Sequence, residues 1–126
     1  MTDYRRLRVV REAFGLSLRV YRLTGQFPDS ERFGGLASQM RRSVVSVGAN
    51  IAEGCGRGTQ RELRRYLGIA RGSLTELEFH LTVARGLRLI SAPEHRRLIS
   101  RTRRTTGMLV NLTRAVSRGL TSRSGT

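Results

Sequence analysis

Lysine and tryptophan are absent from this chain, and proline and cysteine nearly so, at two and one. The single thiol, Cys55, excludes an intrachain disulfide. Few prolines leave long stretches free of the residue that breaks helix interiors. No apolar run exceeds a few residues, so no segment reads as membrane-spanning. The basic stretch 1–11 is interrupted by Asp3 and lacks the apolar centre of a secretory signal, and the expectation is a cytoplasmic protein. Negative charge is also scarce: nine acidic residues face 24 basic ones, for a formal net charge of +15.

Because lysine is missing, every one of those 24 basic residues is arginine. The guanidinium fork binds phosphate through two parallel hydrogen bonds, so the charge points to a nucleic-acid partner, RNA or DNA. An anionic membrane surface is the weaker alternative. The bland reading is a solvated, arginine-rich surface that reflects biased coding composition. Hydrophobic residues make up 38% of the 126 positions, which suits one domain of amphipathic helices sharing some buried surface between subunits.

Four helices are legible from apolar spacing. The first is expected over Tyr4–Leu23, with Leu7, Val10, Phe14, Leu18 and Tyr21 on its seam and Ala13, Leu16 and Val20 flanking it. Gly25 and Pro28 end it. The second starts at Asp29 or Ser30 and runs to about Glu53, through Phe33, Leu36, Met40, Val44, Val47 and Ile51, with a bend at Gly34-Gly35. The third is expected to be the longest and most regular. Thr59 and Glu62 form a capping box, and Leu63, Leu67, Ala70, Leu74, Leu77, Leu81 and Ala84 alternate at four and three toward Leu87 or Leu89. The fourth is expected over Pro93–Val116. Its seam of Leu98, Thr102, Thr105, Leu109, Leu112 and Val116 is the weakest, because it contains two threonines. Short links between long helices predict an all-α, antiparallel up-down four-helix bundle over 1–118, followed by a flexible tail over 119–126.

Residues 91–126 hold eight Arg and one Glu, net +7, whereas 25–58 hold four Arg against three acids, net +1. The basic surface is therefore expected mainly on the first and last helices, neighbours in an up-down bundle. Candidate phosphate contacts are Arg41, Arg42, Arg64, Arg65, Arg96, Arg97, Arg101, Arg103, Arg104, Arg114 and Arg118. Aromatics are few and fall mostly on packing stripes, so backbone attraction is favoured over base stacking.

No constellation for catalysis, metal or cofactor emerges, and the expectation is a protein that is not an enzyme. Cys55 shares no short motif with His80 or His95. Glu76 and His80 are one helical turn apart but lack further ligands. Gly54, Gly56 and Gly58 follow no strand and precede no Gly-Lys-Ser/Thr, so they do not read as a phosphate loop. In the Asn50–Arg57 junction, Asn50 or Glu53 is expected to hydrogen-bond the loop backbone and Arg57 to pair with a carboxylate. A ligand or partner contact there is the alternative.

Three stretches carry a family resemblance: Val20-Tyr21-Arg22-Leu23-Thr24 with Phe27-Pro28; the run Gln39 to Gly54, ending Asn50-Ile51-Ala52-Glu53-Gly54; and Glu62 to Glu78, with Ala70-Arg71-Gly72-Ser73-Leu74-Thr75-Glu76-Leu77-Glu78. Together they resemble the bacterial four-helix bundle family associated with intervening sequences in 23S ribosomal RNA genes, related to accessory proteins of diversity-generating retroelements. The resemblance implies a four-helix protomer assembling as a cyclic homo-oligomer, a homopentamer. It also implies RNA or a reverse transcriptase as partner, with no enzyme activity. Arg41, Arg42, Asn50, Glu53, Gly54, Arg57, Gly72, Glu76 and Glu78 are the positions shared with it, as fold or interface residues. The alternative function is an interaction bundle, forming a ring without a direct nucleic-acid role.

Overall fold

The computed structural model describes residues 2–32 and 34–124, with 121–124 as helical backbone only. Phe33, placed on the second stripe above, lies outside them. A 3-10 turn at Tyr4–Arg6 precedes five α-helices: α1 (Arg8–Thr24), the single turn α2 (Asp29–Arg32), α3 (Leu36–Gly56), α4 (Gln60–Gly86) and α5 (Ala92–Ser124), with no strand among the described residues. The four long ones form the expected all-α four-helix bundle. None is long and apolar enough to cross a membrane.

The α3 and α4 stripes are buried as the spacing predicts. Met40, Val44, Val47 and Ile51 of α3 meet Leu67, Ala70, Leu74, Leu77 and Leu81 of α4 in the core, all of them inaccessible to solvent. Burial of each large aliphatic side chain contributes roughly 1.5–3 kcal/mol. The two helices run antiparallel. Ser43 sits opposite His80, and Ser46, one turn further along α3, sits opposite Ser73, two turns back along α4. Thr59 caps α4, its hydroxyl accepting the Glu62 N–H at 3.2 Å. α5 closes the bundle between α4 and α1.

Three expectations are corrected. The continuous second helix is divided, because Gly34 adopts φ 76°, a left-handed conformation that suits glycine. Glu31 then accepts the Leu36 N–H at 2.9 Å, satisfying a free donor at the start of α3. The last helix, not the third, is the longest: α5 has 33 residues and α4 has 27. It continues through Gly119 to Ser124, past the 118/119 boundary set by composition, with no proline to end it. Residues 125–126 of that tail lie outside the described residues.

The third correction is the face of α1. Val9, Ala13, Leu16 and Val20, the flanking stripe, enter the core. Phe14, Leu18 and Tyr21 of the expected seam are 64%, 41% and 45% exposed. Both stripes have helical spacing, and periodicity does not say which of two stripes meets the rest of the same chain.

The α5 seam is buried as expected despite its threonines. Thr102 and Thr105 are inaccessible or nearly so, and each hydroxyl donates to the carbonyl four residues earlier, at 2.7 and 2.9 Å.

Candidate nucleic-acid interface

The candidate arginines fall into three groups. Arg42, Arg64, Arg96, Arg97, Arg114 and Arg118 are exposed and make no hydrogen bond or ion pair among the described residues. Arg41, Arg65, Arg103 and Arg104 are engaged. Arg41 Nε donates to the Thr24 hydroxyl at 2.8 Å and its guanidinium lies 4.6 Å from the Tyr21 ring centroid. Arg65 pairs with Glu62 at 2.9 Å and stacks on Tyr66. Arg103 pairs with Glu78 and Arg104 with Glu12, both at 3.1 Å. Arg101 forms the third group: it is half-buried in the α1–α5 seam, and a Cβ on Gly15 of α1 would lie 2.8 Å from its Nη2. The missing side chain at Gly15 makes room for that guanidinium.

On α5, spacings of seven, eighteen and twenty-two residues put Arg103, Arg114 and Arg118 on the same outward face as Arg96. Across the seam, Arg8, Arg11 and Arg22 of α1 are exposed on the side of that helix turned toward α5. These three lie off the apolar seam of the first helix and were not among the candidate phosphate contacts. Both neighbouring helices thus carry exposed arginines on their outward sides. Arg64 of α4 and Arg42 of α3 lie away from this pair.

The opposite flank of α1 is apolar. A groove of about 500 Å³ runs between α1 and α3, walled by Tyr4, Phe14, Leu18 and Tyr21 and floored by Val45, Gly48, Ala49 and Ala52. Small side chains on α3 let the floor sink, and the exposed α1 stripe forms the rim. Helical spacing alone does not show that this stripe is left uncovered.

A polar cleft of about 380 Å³ separates α3 from α4 along their outer edge, lined by Gln39, Arg42, Ser43, Ser46, Ser73, Glu76 and His80. Asn50 Nδ2 donates to both the carbonyl and the hydroxyl of Ser46 at 2.8 Å, and Ser73 donates to the same hydroxyl at 2.9 Å. Asn50 thus ties its own helix and the α3–α4 contact, not the loop backbone as expected. Ser43 Oγ lies 3.3 Å from His80 Nδ1. Burial holds the His80 pKa below its ordinary 6.5, against a smaller opposing pull from Glu76.

At the α3–α4 turn, Arg57 pairs with Glu53 at 3.2 Å, as expected, and donates to the Tyr66 hydroxyl at 2.7 Å. That hydroxyl, with Glu53 nearby, raises the Arg57 pKa. Gly54 is required by close approach: a Cβ there would lie 2.8 Å from Tyr66 Cβ. Gly58 turns the chain at φ 86°. Cys55 is buried, and desolvation pushes its thiol pKa up. Gly72 faces open space on α4, and Glu78 holds Arg103. Among the described residues, no three His, Cys, Asp or Glu gather as a metal site.

A family model described as 23S rRNA-intervening sequence protein matches residues 5–111. Among solved structures, the fold is similar to that of a protein with unknown function from the S23 ribosomal protein family of Bacteroides thetaiotaomicron. The TM-score is 0.78 at 19% identity, covering 84% of this chain and 95% of that one. No curated protein sequence matches the chain.

Proposed function

The chain belongs to the 23S rRNA-intervening sequence protein family, and from its geometry we propose a non-enzymatic accessory protein that binds RNA through phosphate contacts on the α1–α5 face. One observation carries this reading. Arg96, Arg114 and Arg118 of α5, with Arg8, Arg11 and Arg22 of α1, are exposed on the outward sides of two neighbouring helices and have no carboxylate partner among the described residues. Guanidiniums left exposed and unpaired in this way gain most from a polyanion, because binding releases its condensed counterions. Phosphate contacts position an RNA without reading its bases. A large-subunit ribosomal RNA carrying an intervening sequence is the first candidate target, and the RNA template of a retroelement reverse transcriptase is the second. Equilibrium binding of a single-stranded RNA over a salt series tests the reading. The logarithm of affinity should fall steeply with the logarithm of salt, by about 0.7 per phosphate neutralised. No measurable affinity for RNA at low salt would overturn it.

A second reading is favoured by the α1–α3 groove: this face associates with another copy of the chain. Three large apolar side chains of α1 project from it well exposed, and contiguous apolar surface of that kind marks interaction sites. A contact between different faces of successive copies closes into a ring, the homopentamer implied by the family resemblance. Native mass measurement tests it, and a monomer at all attainable concentrations would rule it out.

A further inference from the structure

The α3–α4 cleft is used by neither reading, yet it is lined throughout by polar or charged side chains. Its occupancy by charge is unusual in another way. Among the described residues, seven of the nine acidic side chains form ion pairs with arginine. Glu31 instead takes the Leu36 N–H. Among the described residues, Glu76 alone of the nine makes neither a hydrogen bond nor an ion pair with arginine, in a chain with 24 arginines. Arg42, on the facing helix, is likewise unpaired.

We propose that this cleft binds one unpaired guanosine of single-stranded RNA, with the base edge on Glu76 and a phosphate on Arg42; the inference rests on the RNA reading above. The chemistry selects the base. Guanine presents two adjacent donors, N1–H and the N2 amino group, which match the two oxygens of a carboxylate. Uracil offers one N–H between two carbonyls that a carboxylate repels. Adenine and cytosine each set one amino group beside a bare ring nitrogen that accepts. The volume is at the scale of small-ligand sites.

Two neighbours prepare the cleft. With Ser73 and Asn50 both donating to the Ser46 hydroxyl, the Ser46 proton is left for an acceptor on the ligand. His80, one turn from Glu76, is kept largely neutral at pH 7 by burial, so it does not neutralise the carboxylate. The phosphate is then held by a charge-assisted guanidinium contact.

The test compares two ten-nucleotide RNAs on the full chain by fluorescence anisotropy: all-uridine, and the same strand with one central guanosine. The guanosine strand should bind roughly tenfold more tightly, the worth of one good bidentate pair. Glu76→Gln should erase that preference by bringing the guanosine strand to the affinity of the all-uridine strand; the residue is exposed, and circular dichroism checks that the variant folds. Equal wild-type affinity for the two strands, or a preference that survives Glu76→Gln, overturns the cleft assignment and leaves phosphate binding standing. Binding of neither strand overturns both.

Discussion

Arg103 and Arg104 are consecutive in sequence yet reach opposite neighbours: Arg103 Nε meets Glu78 of α4 and Arg104 Nη2 meets Glu12 of α1, each at 3.1 Å. Successive residues on a helix are turned about 100° apart, so one Arg-Arg pair straps α5 to both flanking helices. Arg19 to Glu94, at 2.7 Å, adds a further strap between α1 and α5. Exposed pairs of this kind contribute at most about 1 kcal/mol each. Their larger effect is to remove two arginines from the pool that can meet phosphate.

Replacing Arg96, Arg114 and Arg118 together by Gln should lower the salt slope of RNA binding by about 2, at roughly 0.7 per lost contact. The double variant Arg103→Gln/Arg104→Gln should change that slope less and lower thermal stability instead. Binding across a salt series, alongside thermal melts, separates the two. Equal slopes for the two variants would contradict the division between free and engaged arginines.

Phe14→Glu should abolish self-association and leave the fold intact. The side chain is 64% exposed in the protomer, so the monomer loses little burial, whereas a charge in a covered apolar groove is costly. Sedimentation should show a shift to monomer with a melting temperature within a few degrees of wild type. An unchanged mass would remove the α1–α3 groove from the interface.

Two glycines should respond with opposite signs. Gly54→Ala forces a Cβ against Tyr66 and should destabilise by about 1–3 kcal/mol. Gly72→Ala, in open space in the interior of α4, should stabilise the protomer by up to about 1 kcal/mol. Urea unfolding of both variants reads the difference directly.

Arg88 holds φ 60° in the α4–α5 turn, where a side chain is strained and glycine is not. Arg88→Gly should therefore stabilise the protein by about 1 kcal/mol. A loss of stability on thermal or urea melting would mean that the Arg88 side chain has a role the turn geometry does not show.

His80 makes stability depend on pH. Its folded pKa lies below the unfolded value near 6.5, so the unfolded chain binds the proton more readily. The contribution is present in full above pH 6.5 and is lost as pH falls from there through the folded value. His80→Gln should flatten stability over that window, measured by urea midpoints between pH 5 and 8. A profile unchanged by the substitution would assign the acid sensitivity elsewhere.

The parts of the fold that sequence made legible share one property: a single apolar stripe. Leu63 to Ala84 and Met40 to Ile51 each offered one face to bury, and those faces are buried. α1 carried two stripes. Phe14, Leu18 and Tyr21 looked the stronger by size, but the smaller Ala13 and Val20 allow α1 to approach the core, and they were chosen. The break at Gly34-Gly35 was visible as a bend, but its depth depends on Glu31 reaching the Leu36 N–H, a contact across five positions. The basic face was legible as a helix pair because charge counts need no geometry. Which arginines stay unpaired was not legible: Arg41 and Arg42 are adjacent, yet one grips Thr24 and the other lines the cleft. Nor could spacing show that Ser43, Ser46, Ser73 and His80 meet, since they come from two helices brought into register only by the core between them.

The threonines in the α5 seam bear on how the bundle breathes. Thr102 and Thr105 fill core positions but return their hydroxyls to their own helix, so they attach α5 to its neighbours with less apolar surface than the leucines that join α3 to α4. Local opening is therefore expected to separate α5 from α4 before α3 separates from α4, an order that amide hydrogen exchange would read. The helix that carries eight arginines is thus joined to its neighbours through a seam that mixes apolar and polar side chains. If a polyanion seats on it as proposed, binding should by mass action hold that seam closed.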